Sequence, residues 1–252
     1  MELKSSNPFL KGNKFENTSR TNEATILVDE GTMTVSGTIN KSFTMLLMLL
    51  STAIVSWWLV GNGYNPMVFT IGGGVIGLIL VVVASFKPTT SPYTAPAYAL
   101  FEGLFIGGLS AVFEAMYPGL VIQAVSATFI TFLVCFGLYK YNIVKVTETF
   151  KSVVIGATMA IFAFYLISWI ASMFIDFQPI HHGNSLMSIG ISVFVIIIAA
   201  LNLFLDFDMI EKGSQSKAPK YMEWFAAMGL MITLVWLYVE FLRLLSKLSS
   251  RD

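Results

Sequence analysis

Five acidic residues lie inside or at the ends of long apolar stretches of this chain. They are Glu102, Glu114, Asp206, Asp208 and Glu240. A charged side chain at bilayer depth costs roughly 2.5 to 3.5 kcal/mol on insertion scales, so it persists where it faces a protein interior or an aqueous path. Carboxylates are oxygen ligands of the kind that calcium prefers, and they also take up protons. The pattern therefore indicates handling of cations or protons within a membrane.

Asp206 and Asp208 fall on different faces of one predicted helix. Residues three and four apart share a face, and the face of Asp206 is mostly small or polar. Its members are Ser188, Ser192, Val195, Ala199 and Asn202. Asp208 lies about 200° further round the helix, on an apolar face. We therefore expect Asp206 to point into a helix bundle and Asp208 to turn toward the cytoplasmic headgroups.

Glu240 occupies a comparable face in the last apolar stretch. It follows Gly229 and Thr233 at helical spacing, and Arg243 lies three residues further on. We expect Glu240 to face the bundle, with Arg243 near enough to pair with it. Since burial and mutual repulsion of carboxylates favour a shared proton, a coupled pair of Asp206 and Glu240 would act as a pH sensor and a transient calcium site.

Glu102 and Glu114 belong to a third apolar stretch. Glu114 shares a face with Gly103 and Gly107, whose spacing lets helices approach closely, whereas Glu102 shares a more apolar face. Both are candidate lining groups of a cation path. An acid near the end of a span also reaches water by snorkelling, which is the alternative interpretation for Glu114 and Asp208.

The composition is that of an integral membrane protein. Of 252 residues, 56% are hydrophobic and 12% are charged, against roughly 25% charged in soluble domains. The charged residues are concentrated in the first 41 positions, the connecting loops and the last ten positions. No basic stripe is present to meet phosphates, which argues against nucleic acid as a partner.

Apolar runs separated by turn residues predict an all-α fold with seven transmembrane helices. We expect a polar cytoplasmic tail at 1–41, a transmembrane domain at 42–246 and a short C-terminal tail at 247–252. The predicted spans are roughly 43–60, 66–86, 96–117, 119–139, 152–175, 186–206 and 222–245.

The distribution of basic residues predicts a cytoplasmic N-terminus. In that orientation the inner segments carry 12 of the 15 basic residues and the short outer loops carry none, as positive-inside topology requires. Arg243, Lys247 and Arg251 then lie outside, against the rule. A final helix that re-enters the membrane would also satisfy the charges.

The sequence lacks the signatures of common enzymes. His181 and His182 are adjacent in one loop and do not form an H-E-x-x-H helix. No G-x-S-x-G elbow is present, and a retinal protein would need an embedded lysine before Lys247. The single cysteine, Cys135, excludes an intramolecular disulfide. We expect no enzymatic activity and no cofactor.

Several segments resemble the Bax inhibitor family, the transmembrane Bax inhibitor motif proteins, whose bacterial members include a YccA-like group. The resemblance rests on the run at 202–212, on Ala227-Met-Gly-Leu, on Phe241-Leu-Arg-Leu-Leu and on Ala97-Tyr-Ala-Leu-Phe-Glu. The first 41 residues, with Asn7-Pro-Phe, look like the longer bacterial subgroup.

The resemblance implies a central seventh helix and a pH-sensitive calcium leak or calcium/proton exchange, governed by paired acids on helices six and seven. Asp206 matches the first acid. The second position falls on Thr233 or, by local likeness, on Glu240. A bacterial inner membrane is the expected location.

The resemblance also implies a second class of function. In that alternative, the chain is an interaction protein that modulates a membrane protease or a stress or cell-death partner. Membrane lipid, calcium and protons are the other expected partners.

Overall fold

The computed structural model describes residues 31–174, 183 and 185–250, and seven long helices form a bundle within them. Each is long and apolar enough to cross a bilayer, which confirms the predicted all-α class with seven transmembrane helices. A 3-10 turn, Pro88–Thr90, precedes the third helix. The helices are α1 (Val35–Gly61), α2 (Pro66–Phe86), α3 (Ser91–Met116), α4 (Leu120–Lys140), α5 (Glu148–Phe174), α6 (Leu186–Gln215) and α7 (Met222–Ser249).

The first and last helices extend beyond the predicted spans. Helix α1 begins at Val35, eight residues before the expected start, because Thr34 caps it by accepting the N–H of Gly37 at 3.0 Å. Helix α7 continues to Ser249 and includes Lys247, which the sequence placed in a tail. Hydropathy indicates the membrane-crossing part of a helix, whereas capping groups decide where it ends.

Helix α7 forms the centre of the bundle. It packs against α1, α3, α4 and α6. In its most apolar part, 56% of the residues are buried, a larger share than in the other six helices. Leu237 and Leu242 are fully buried there. The expectation of a central C-terminal helix is confirmed.

Glycines bring α3 close to its two neighbours. A Cβ on Gly103 or Gly107 would overlap backbone carbonyls of α1, at Leu49 and Ala53 respectively. On α2, a Cβ on Gly73 would lie 2.5 Å from the carbonyl oxygen of Phe101. Small residues at these positions therefore permit backbone-to-backbone packing, as the spacing predicts.

Glu223 links the start of α7 to the start of α1 by ion pairing and hydrogen bonding. Its side chain is fully buried and contacts the ammonium groups of Lys41 and Lys220, the latter at 2.8 Å. It also accepts hydrogen bonds from the backbone N–H and the hydroxyl of Thr34, at 2.9 and 3.0 Å. A buried carboxylate is tolerated when cations and donors surround it in this way. We call Thr34, Lys41, Lys220 and Glu223 the Glu223 clasp.

The residues just before α1 pack against the loop that leads into α7. Thr32 and Pro219 form an isolated antiparallel bridge. The N–H of Met33 donates to the carbonyl of Ala218 at 2.7 Å, and the Met33 side chain is buried. The end of the N-terminal segment is therefore part of the folded bundle.

Replacing Gly107 by alanine should destabilise the bundle. The added methyl group would overlap Ser56 and the carbonyl of Ala53, and overpacking costs about 1–3 kcal/mol. Thermal unfolding in detergent should show a lower apparent Tm. Gly156→Ala on α5 is the matched control, because its Cβ would meet nothing within 4 Å. An equal fall in both variants would contradict the close approach of α1 and α3.

Replacing Glu223 by glutamine should also lower the apparent Tm. The change leaves Lys41 and Lys220 without their counter-ion, and breaking a buried ion pair costs about 3–5 kcal/mol. Glu148→Gln is the matched control, since Glu148 also pairs with a lysine three residues on but its side chain is 86% exposed. If both variants unfold at the wild-type temperature, the clasp does not stabilise the fold.

Candidate functional site

Asp206 lies on α6 with its carboxylate against the central helix. Its Oδ1 is 3.6 Å from the place that a Cβ on Gly229 would occupy, and the carboxylate interacts with the hydroxyl of Thr233. Its Oδ2 is buried and has no hydrogen-bond partner among the described residues. The structure thus places Asp206 inside the bundle, as its polar face predicts.

Thr233, and not Glu240, is the residue opposite Asp206 on α7. Thr233 and Glu240 share a face, but seven residues separate them by about 10 Å along the helix axis. Of the two alternatives for the position of the second acid, the geometry favours Thr233. Asp206 and Glu240 therefore do not form a directly coupled carboxylate pair.

Glu240 is buried nearer the C-terminal end of α7. Its Oε1 accepts a hydrogen bond from Arg243 at 2.9 Å and another from the hydroxyl of Tyr165 at 3.3 Å. Its Oε2 is buried without a hydrogen-bond partner in the described part of the chain. The predicted pairing with Arg243 is confirmed.

A buried lysine adds a second positive charge near Glu240. The Lys247 side chain lies between α7 and α6, where its Nζ donates to the carbonyl of Ser188 at 3.2 Å and to Ser192 Oγ at 2.8 Å. Its charge acts on Glu240. The polar face of α6 thus serves two purposes, since its first turns hold Lys247 and its later turns carry Asp206.

Glu102 and Glu240 line one groove between α3, α5 and α7. This groove, which we call the acid groove, has a volume of about 380 Å³, and Thr158, Tyr165 and Arg243 also line it. Glu102 is buried, and its Oε2 packs 2.7 Å from where a Cβ on Gly77 would lie. The two glutamates therefore line one continuous space.

Asn202 connects the turn of Asp206 to the acid groove. It lies one helical turn before Asp206, and its amide donates to the Thr158 hydroxyl at 2.8 Å. Thr158 in turn lines the groove. One polar contact thus links the face of α6 that carries Asp206 to a residue that lines the acid groove.

Asp208, which we expected to turn toward the headgroups, is covered by lysine side chains. Asp208 is 8% exposed, and its Oδ2 pairs with Lys151 on α5 at 3.0 Å and with Lys212 at 2.9 Å. The lysine of a neighbouring helix covers the carboxylate, which a face analysis of α6 alone does not reveal. Asp208 links α5 to α6 through its ion pairs with Lys151 and Lys212.

Glu114 caps the helix that follows it. Its two carboxylate oxygens accept the backbone N–H groups of Gly119 at 2.6 Å and Val121 at 3.1 Å. Gly119 has a positive φ of 83°, which allows the tight reversal between α3 and α4. An acid at a helix N-terminus satisfies free donors and complements the helix dipole. The structure gives Glu114 a structural role in place of the expected position along an ion path.

Sequence reasoning missed Glu223 and Lys247, which are both buried. Each was assigned to a span end or a tail, where charged groups ordinarily meet water. Lys220 lies one turn from Glu223, and Glu240 lies two turns before Lys247. These spacings show only that an opposite charge is near in sequence, while the contacts that bury the two residues come from α1 and α6.

The described residues contain no group of three or more His, Cys, Asp or Glu side chains that could hold a metal ion. A calcium ion takes six to eight oxygen ligands, so Asp206 and Glu240 alone do not form a resident site. Cys135 is a buried free thiol that contacts the carbonyl of Ala200 at 3.7 Å. His181 and His182, the other metal candidates, lie outside the described residues.

Comparison with known proteins identifies the family of this chain. No curated protein matches the chain. The profile described as Bax inhibitor 1 like matches residues 7–250, which is nearly the whole chain. The chain therefore belongs to the Bax inhibitor 1 like family, as a multi-pass integral membrane protein.

Proposed function

We propose that this protein is a pH-sensitive calcium leak channel or calcium/proton exchanger, controlled by protonation of Asp206. The observation that carries the proposal is the Asp206 carboxylate, whose Oδ2 is buried against α7 with no hydrogen-bond partner in the described residues. Because this carboxylate lies at the contact between α6 and α7, gaining or losing a proton changes the charge there directly.

The acid groove supplies the second part of the proposal. Glu102 and Glu240 place negative charge along it, while Arg243 and Lys247 offset the charge of Glu240. A calcium ion that passes here would keep part of its water shell, because the described residues provide no complete ligand cage. The proposed mechanism is thus ion passage through the protein, with no covalent step and no cofactor.

The arrangement of lysines supports an orientation. Lys41, Lys151, Lys212 and Lys220 meet Glu223 and Asp208 at ion pairs near helix ends. Under the positive-inside rule, the end of the bundle that carries these lysines faces the cytoplasm. This orientation puts the N-terminus inside. We place the protein in a bacterial inner membrane, in line with the resemblance to the bacterial subgroup.

Asp206→Asn should remove the main pH dependence of calcium flux. Asparagine remains neutral at every pH, so the variant should match the acid-side flux of the wild type throughout. A single linked proton changes an equilibrium by up to about tenfold per pH unit. Calcium entry into liposomes containing the purified protein, followed across a pH series with a trapped indicator, measures this.

Glu148→Gln is the charge-matched control for that experiment, since Glu148 is exposed at the start of α5. It should keep the wild-type pH profile. An Asp206→Asn profile that also follows the wild type would refute control by Asp206. If the wild-type protein carries no calcium at all, the interaction-protein alternative gains support, and removal of residues 1–30 then tests whether the N-terminal segment contacts the partner.

Asp206 and Glu240 should act independently. Substitutions more than about 7–10 Å apart with no shared partner usually have additive effects. Glu240→Gln leaves Arg243 and Lys247 without their acid, so we expect lower calcium flux at every pH. In Asp206→Asn/Glu240→Gln, the changes in the logarithm of flux should add. Strong non-additivity, together with a single shared titration, would show that the two acids are coupled after all.

A further inference from the structure

A long groove runs along the side of the bundle between α1 and α4. It consists of two cavities of about 490 and 540 Å³ that share Leu46, Phe129, Met231 and Leu234. These shared residues come from α1, α4 and α7, so the two cavities adjoin along the central helix. We call them together the lateral groove, which borders the acid groove at Val235 but contains none of its α5 residues.

The lateral groove is apolar for most of its length. Along α1 it extends from Val35 to Trp58, a span of about 35 Å at the rise of an α-helix. One leaflet of hydrocarbon is about 15 Å thick, half of the bilayer core. The groove is therefore long enough to hold a complete acyl chain that enters from one leaflet.

One end of the groove carries polar groups that ordinary lipid-facing surface lacks. Ser42 is 8% exposed, and its Oγ is buried with no hydrogen-bond partner in the described residues. Lys140 and Asn142 stand at the same end, and Lys140 forms no ion pair among the described residues. Glu211 lies beside them and accepts a hydrogen bond from the Tyr139 hydroxyl.

We propose that the lateral groove binds one acyl chain of a phospholipid with an amino headgroup. The phosphate pairs with Lys140, and the headgroup ammonium pairs with Glu211. An ammonium and a phosphate in one molecule complement the adjacent acid and base at the mouth of the groove. This site goes beyond the proposed ion conduit and does not depend on it.

Photo-crosslinking of the full-length protein in nanodiscs tests the proposal. The probe is phosphatidylethanolamine with a diazirine in its acyl chain, and mass spectrometry locates the labelled peptides. Labelling should concentrate on the groove faces of α1 and α4. Leu50→Trp, which narrows the groove from its exposed wall, should reduce that labelling severalfold, whereas Leu78→Trp on the exposed face of α2 should not. Labelling spread evenly over all lipid-facing helices would overturn the site.

The headgroup contacts are tested with the same probe. Lys140→Gln should lower groove labelling about fivefold, the effect expected for one basic residue near a membrane surface. Lys145→Gln, an exposed lysine in the following loop, is the charge-matched control and should leave it unchanged. A diazirine fatty acid without the headgroup should label the groove weakly. Equal labelling by the fatty acid, or specific capture of a protein helix in place of lipid, would refute the phospholipid assignment.

Discussion

The structure depends on one constraint, which is that a polar group inside a membrane bundle must find its partner within the protein. Lipid offers no hydrogen bonds and little stabilisation of charge. Glu223 and Asp208 meet this requirement with lysines from neighbouring helices, and Glu114 meets it with backbone donors. Asp206 and Glu240 meet it only in part, since each keeps one buried oxygen without a partner in the described residues. This difference separates the acids whose partners are within the bundle from the two that keep an unpaired oxygen in the described residues.

Much of the architecture follows from the sequence. Seven apolar runs, turn residues between them and glycine spacing in α3 predict the helices and their close packing, because hydropathy and small side chains act locally along the chain. The same local logic places Asp206 on the interior face of α6 and Arg243 beside Glu240. The helix ends at Val35 and Ser249 do not follow from it, since Thr34 caps α1 and Lys247 contacts α6 beyond the apolar part of each helix.

The partners of the buried charges could not be predicted, because they come from distant parts of the chain. Lys41 and Glu223 are 182 positions apart, and Lys247 and Ser188 are 59 apart. A face analysis treats each helix alone, so it assigned Asp208 to the headgroups although Lys151 of α5 covers it. Glu240 is a related case. Local likeness marks it as an acid of interest, but only the packing of α6 on α7 shows that Thr233 occupies the place opposite Asp206.

The Glu223 clasp has a consequence for how the protein is made. A ribosome delivers α1 first and α7 last, so Lys41 and Thr34 enter the membrane well before their carboxylate exists. Helices α1, α2 and α3 can associate early through their glycines. The position of α7 at the centre of the bundle stays unfilled until that helix is inserted. Insertion of the final helix then completes the core and closes the ion pairs of the clasp in one event. The central helix is therefore the last part of the bundle to be inserted. A chain truncated before α7 lacks both the core and the clasp.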